Sequence, residues 1–121
     1  MKKPNITEGE WSVEVRGYKL DSEDHVCVKN DDMVIAMCGL ADNGYLDQSV
    51  RDAKSISVVP EMIDHLMCFY YHFMSQWESV NYHPSSNYLR DAHSVAETLI
   101  KAGCEPEKED VEKFKKANIE L

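Results

Sequence analysis

Three side chains with metal-binding chemistry follow one line of a predicted helix. His65, Cys68 and His72 are three and four residues apart, and this spacing places them on the same side of a helix. Zinc accepts imidazole and thiolate ligands, but a closed structural site needs a fourth ligand from elsewhere in the chain. The alternative is a plain polar stripe on an apolar helix. Since no Cys-x-x-Cys or His-Glu-x-x-His pattern accompanies the three residues, we expect no metal and no cofactor.

The rest of that helix is apolar over more than half of its circumference. Its apolar residues are Met62, Ile63, Leu66, Met67, Phe69, Tyr70, Tyr71, Phe73, Met74 and Trp77. One core-facing stripe needs only about 100° of arc. The helix is therefore either buried between a sheet and another helix, or it presents a partner-binding or self-association surface. Methionine and aromatic residues are typical of such surfaces, and we interpret Tyr70, Tyr71 and Trp77 as partner-binding residues.

The elements ahead of this helix have the pattern of a small antiparallel sheet. Residues 11–16 alternate apolar and polar side chains, as a strand with one buried face does. Residues 25–29 and 33–38 are further strand candidates, separated by turn sequences rich in Asp and Asn. We expect a three-stranded meander whose third strand, apolar throughout, is covered on both faces.

Two to three packed helices are predicted to follow the meander. Pro60 ends one helix, because the residue before a proline is steered away from helical geometry, and it suits the first turn of the next helix. That second helix extends to about residue 78, and a third is capped by Ser86 or Asn87. The charged residues 105–121 are either a short docked helix or a frayed tail.

Composition favours one α+β domain over residues 1–121, with a flexible stretch at residues 1–10. The chain has 121 residues, of which 43% are hydrophobic, enough to close a modest core. Its apolar runs are shorter than the roughly 20 residues that cross a bilayer. The lysines near the start are not followed by the apolar run of a secretion signal. We therefore expect a cytoplasmic protein whose four cysteines are reduced thiols.

Acidic residues outnumber basic residues along the chain. The net charge is −9, which disfavours direct binding of nucleic acid because phosphates attract basic surfaces. Successive turns of a meander lie at alternate ends of the sheet, so we expect five carboxylates at one end, from Asp21, Glu23, Asp24, Asp42 and Asp47. Such a cluster is either solvated, or binds a basic partner surface, or holds a hard cation; the calcium-loop pattern is missing.

The sequence lacks the patterns of the common catalytic sites. The five glycines are scattered, so they do not form a phosphate-binding loop. Asp91, His93 and Ser94 are triad residue types, but neighbouring helical positions cannot supply triad geometry among themselves. We expect no enzymatic activity. A cysteine nucleophile with a distant histidine is the alternative left open.

Residues 52–66 carry a family pattern. They read Asp-Ala-Lys-Ser-Ile-Ser-Val-Val-Pro-Glu-Met-Ile-Asp-His-Leu. This resembles a helix common in short accessory proteins of tailed bacteriophages and prophages, roughly Asn-Ala-Lys-Leu-Ile, three small residues, then Pro-Glu-Met-Leu-Glu-Ala-Leu. Trp11 and Val34-Ile35-Ala36 are similar to the strands that open that family, whereas Ser55, Ser57 and Val58 stand where the family has Leu and Ala.

The resemblance implies a role inside a bacterial host. We expect a non-enzymatic accessory protein that binds a host protein with a basic surface. More specifically, we expect an acidic inhibitor of a bacterial defence or nucleic-acid-handling complex. The carboxylates of the inhibitor would occupy a groove in which the complex binds phosphates. The alternative is a self-associating structural or regulatory protein, a homodimer in which the second helix pairs across a two-fold axis.

Overall fold

The computed structural model describes residues 1–17, 24–31, 33–40 and 46–121. These residues form an α+β fold, in which a meander of three antiparallel strands precedes four helices. The elements are β1 (Ser12–Gly17), β2 (Asp24–Lys29), β3 (Val34–Leu40), α1 (Leu46–Ser57), α2 (Val59–Ser79), α3 (Asn87–Lys101) and α4 (Lys108–Lys116). The predicted fold class is confirmed. Within the described residues, no helix has both the length and the apolar character needed to cross a membrane.

The chain divides into two compact units, where the sequence predicted one domain. The sheet unit is Ile6–Pro60, and the helical unit is Met1–Asn5 together with Glu61–Leu121. Residues 1–5, predicted to be flexible, have defined contacts in the helical unit. Lys2 exchanges two backbone hydrogen bonds with Glu105, at 2.7 and 3.0 Å, and the Met1 side chain is buried.

The sheet unit closes its core on one face of the meander. Alternation along β2 points Val26 and Val28 towards α1, where both pack with Ala53 and are fully buried. In β3, Ala36 belongs to this core, whereas the side chain of Met37 is 53% exposed. The expectation that both faces of the third strand are covered is therefore wrong at Met37.

The helical unit is built around one buried stripe of α2. Its members are Ile63, Met67, Tyr70, Met74 and Trp77. They recur every three or four residues, so they share one side of the helix. The same unit also buries Leu89, Ala92, Ala96 and Leu99 of α3 and Phe114 of α4. The Phe114 ring lies 5.4 Å from the Trp77 ring, centroid to centroid. The C-terminal segment therefore contains a docked helix.

Local sequence signals set the ends of these helices. The Ser86 side chain accepts a hydrogen bond from the Tyr88 amide at 3.1 Å and so caps α3. Gly103, just beyond α3, has a φ of +95°, a conformation that residues with a Cβ rarely adopt. A Cβ at Gly103 would lie 3.2 Å from Cβ of Pro4, so the glycine also allows the N-terminal segment to approach closely.

Candidate functional site

A second apolar stripe of α2 lies beside the buried one, about 100° round the helix from it. We call it the exposed stripe, and it consists of Met62, Leu66, Phe69 and Phe73. Met62 is 53% and Phe69 is 55% exposed, and the other two side chains are half-buried. The rings of Phe69 and Phe73 stack, with centroids 6.4 Å apart. The stripe therefore offers a continuous apolar surface.

The exposed stripe is more apolar surface than packing of the helical unit requires. A surface helix needs one buried stripe of about 100°, and α2 already has one, of which Tyr70 and Trp77 contact α4. Burying the exposed half of a phenylalanine removes about 100 Å² of apolar surface from water and contributes about 2 kcal/mol. A partner that covers the exposed stripe would gain this free energy of burial at Phe69.

The side of α2 next to the exposed stripe is polar. His65, Cys68 and His72 are all exposed there, and the His72 ring lies edge-on to the Phe73 ring, with centroids 5.7 Å apart. In the part of the chain that the structure describes, no group of three His, Cys, Asp or Glu side chains is placed to hold a metal ion. The three residues are arranged as the polar border of the apolar stripe.

Two of the residues interpreted as partner-binding are buried. Tyr70 and Trp77 have no exposed surface. The Tyr70 hydroxyl donates to Asp110 Oδ2 at 2.6 Å, and Trp77 Nε1 donates to the His83 carbonyl at 3.0 Å. The interpretation of these two side chains as surface residues is therefore wrong, because α4 and the loop after α2 cover them. Burial and the hydrogen bond to Asp110 raise the pKa of Tyr70 well above its ordinary value.

Tyr71 is half exposed, but it points away from the exposed stripe. Two residues after Phe69, it lies roughly 200° further round the helix. Its hydroxyl donates to the Met1 carbonyl and accepts from the Met1 amino group, both at 3.1 Å. Burial, with a contribution from Glu107, raises the pKa of Tyr71. Tyr71 thus holds the N-terminal segment, and a partner at the exposed stripe would not contact it directly.

Most of the predicted carboxylate cluster lies outside the described residues. This holds for Asp21, Glu23 and Asp42, and for the side chain of Asp24; Asp47 is exposed in the first turn of α1. The distribution of charge along the sequence still bears on a partner. Residues 6–60 carry 11 acidic and 5 basic residues, against 11 and 8 in the rest of the chain. The sheet unit therefore carries most of the negative excess.

The thiols in the interior are poorly suited to act as nucleophiles. Burial raises the pKa of both Cys38 and Cys104, and a raised pKa lowers the fraction present as the reactive thiolate. Cys27 is fully buried, and Cys68 lies on the exposed side of α2. Cys38 and Cys104 behave as small core residues.

A shallow cavity of about 250 Å³ lies between the loop after α2 and the end of α4. Tyr82 and Lys113 form part of its wall. The Lys113 ammonium lies 5.2 Å from the centroid of the Tyr82 ring and 3.7 Å from Asp110 Oδ1. The Lys113 ammonium already interacts with Tyr82 and Asp110, so the exposed stripe is the stronger candidate for a binding site.

The sequence predicted the excess of apolar residues on α2, but two of the three residues assigned to the surface, Tyr70 and Trp77, are buried, whereas Tyr71 is exposed. Placing the residues at 100° intervals separates Met62, Leu66, Phe69 and Phe73 from the buried stripe. What the sequence does not show is which stripe the later helices cover. No protein-family model, no curated protein and no solved structure matches this chain.

Proposed function

We propose that this chain is a non-enzymatic protein-binding domain that engages a partner protein through the exposed stripe of α2. The observation that supports the proposal is the exposure of Met62 and Phe69, each more than half accessible, on a helix whose other apolar stripe already forms the core. Contiguous apolar surface with methionine and aromatic residues is typical of protein-binding sites.

Charge supports a partner with a basic surface. The chain carries a net charge of −9, and α2 contains no Lys or Arg along its whole length. Opposite potentials attract the partners before contact and exclude acidic competitors. Binding should therefore weaken as salt is added, because salt screens charges that remain exposed.

The resemblance of residues 52–66 to phage accessory proteins supports a host protein as that partner. Host complexes that handle nucleic acid present basic grooves, and an acidic protein can occupy such a groove in place of phosphates. The larger acidic excess of the sheet unit, Ile6–Pro60, fits this role. We therefore propose inhibition of a bacterial defence or nucleic-acid-handling complex in the host cytoplasm as the biological outcome.

Self-association is the second candidate function. The exposed stripe repeats at i, i+4, i+7 and i+11, the spacing with which helices pack against one another. Two copies would, however, bring together two chains of charge −9, which opposes pairing at low salt. Light scattering at micromolar concentration tests this candidate: the molar mass of a monomer would exclude a homodimer.

Affinity capture with matched variants tests the proposal. The tagged protein and its Phe69→Ala and Tyr88→Ala variants are incubated with bacterial lysate at low salt, and the bound proteins are identified by mass spectrometry. Tyr88 is a suitable control because it is an aromatic residue 37% exposed on a different helix. We expect one partner that is lost with Phe69→Ala and retained with Tyr88→Ala. Equal recovery on all three baits would refute the use of the exposed stripe.

A further inference from the structure

We infer that the exposed stripe binds a basic amphipathic helix of the partner, laid along α2. This inference rests on the proposed function and names the kind of segment that the same surface accepts. The inference is based on the shape of the exposed stripe, on the backbone groups of α2, which already bond within the helix, and on the charged residues beside the stripe.

The shape of the stripe suits a helix. Met62 and Phe73 mark its ends, and at 1.5 Å per residue the stripe is about 16 Å long, or three helical turns. Its four side chains form a straight ridge with the spacing that interdigitates with side chains of a second helix. A partner helix with apolar residues at i, i+4, i+7 and i+11 presents a ridge of the same length.

The backbone of α2 argues against an extended partner segment. Residues 62–73 lie inside a continuous helix that runs from Val59 to Ser79, so their amide and carbonyl groups bond within the helix. An extended peptide gains much of its affinity from main-chain hydrogen bonds to an open sheet edge. Here only side chains are available, which is the situation in which amphipathic helices bind.

The border of the stripe favours positive charge on that helix. Glu61 is exposed at the N-terminal end of α2, and in the described part of the chain no basic group is paired with it. Asp64, one turn further, is engaged by Lys3. With no Lys or Arg on α2 itself, flanking lysines of a partner helix meet the Glu61 carboxylate and the imidazoles of His65 and His72. The positive charge of Lys3 is paired with Asp64. The same border disfavours a second copy of α2.

A designed peptide tests the inference even while the natural partner is unidentified. The probe is a fluorescein-labelled helical peptide with leucines at i, i+4, i+7 and i+11 and lysines on both flanks. A scrambled peptide of the same composition has its leucines spread round the helix, and a third peptide carries glutamates in place of lysines. Fluorescence anisotropy gives the Kd of each peptide for the wild-type protein and for the Phe69→Ala and Tyr88→Ala variants.

We expect the amphipathic basic peptide to bind at least roughly tenfold more tightly than either control peptide. Phe69→Ala should weaken this binding by roughly 30-fold and Tyr88→Ala by less than about twofold. Equal affinity for the amphipathic and scrambled peptides, or no effect of Phe69→Ala, would overturn the inference. A homodimer lost in Phe69→Ala would also overturn it, since the occupant would then be a second copy.

The two proposals can fail separately. If lysate capture depends on Phe69 while the peptide panel shows no preference, the stripe binds a partner that is not a basic helix. If neither capture nor peptide binding depends on Phe69, the stripe is not a binding site and the proposed function fails with it.

Discussion

Replacing Tyr70 with phenylalanine removes one hydroxyl from the interior of the helical unit. That hydroxyl donates to Asp110 Oδ2 at 2.6 Å, Tyr70 has no exposed surface, and the Asp110 side chain is 15% exposed. Hydrogen bonds to a charged group contribute about 1.5–3 kcal/mol, and a carboxylate left short of a donor away from water is costly. We expect Tyr70→Phe to lower the free energy of unfolding by about 2 kcal/mol at pH 8.

The same hydrogen bond predicts a dependence on alkaline pH. Because the pKa of Tyr70 is raised in the folded protein, the folded state keeps a proton that the unfolded chain releases above about pH 10. The stabilisation from this group is complete below that pH and falls by up to about 1.4 kcal/mol per pH unit above it. Tyr70→Phe lacks this proton, so the difference from wild type should shrink as the pH rises beyond about 10.

Urea unfolding followed by far-UV circular dichroism at a series of pH values measures both effects. Tyr88→Phe is the matched control, because that side chain is 37% exposed on α3, and we expect it to change the free energy of unfolding by less than about 0.5 kcal/mol. A loss below about 0.5 kcal/mol for Tyr70→Phe, or a difference from wild type that stays constant above pH 10, would refute the reasoning.

Three further predictions concern packing, backbone and thiol access. Phe114→Ala should cost about 3–5 kcal/mol in urea unfolding, because it leaves a cavity beside the buried ring of Trp77; a loss under about 1 kcal/mol would show that α4 is not docked as described. Gly103→Ala should cost about 1–2 kcal/mol by the same measurement, since φ is +95° and the new Cβ would crowd Pro4; a stabilised variant would contradict this. Exposed Cys68 should react with a thiol reagent well before buried Cys104, whose pKa is raised by burial. Mass spectrometry of the labelled peptides gives the order, and labelling of Cys104 first would be the contrary result.

Local signals in the sequence predicted the elements well. Pro60 lies in the first turn of α2, directly after the break that ends α1 at Ser57, and Ser86 caps α3, as expected from their backbone preferences. Both signals act within a few residues of the feature they determine. The ends of these helices could therefore be assigned from neighbouring residues alone.

Burial on α2 depends on residues far along the chain and was harder to assign. Tyr70 and Trp77 are both covered by α4. Asp110, forty residues after Tyr70, accepts a hydrogen bond from the Tyr70 hydroxyl, and the Phe114 ring packs on Trp77. A charged segment such as residues 105–121 gives little sign that its one phenylalanine closes the core. The prediction that Tyr70 and Trp77 lie on the surface is therefore wrong, and it omitted Phe69, which is 55% exposed.

The predicted carboxylate cluster of the sheet unit is a different case. Alternation along the strands predicted the meander, but three of the five expected cluster residues, Asp21, Glu23 and Asp42, lie outside the described residues. Their grouping remains a prediction of strand geometry. Charge reversal at Asp21, Glu23 and Asp24 tests it through the salt dependence of partner binding.

The most direct test of the exposed stripe is the affinity of the captured partner for purified wild-type protein and for Phe69→Ala, measured by isothermal titration at low salt. Covering the exposed half of Phe69 contributes about 2 kcal/mol, so we expect Phe69→Ala to weaken binding roughly 30-fold while Tyr88→Ala leaves it unchanged. Equal Kd values for wild type and Phe69→Ala would contradict binding through the exposed stripe.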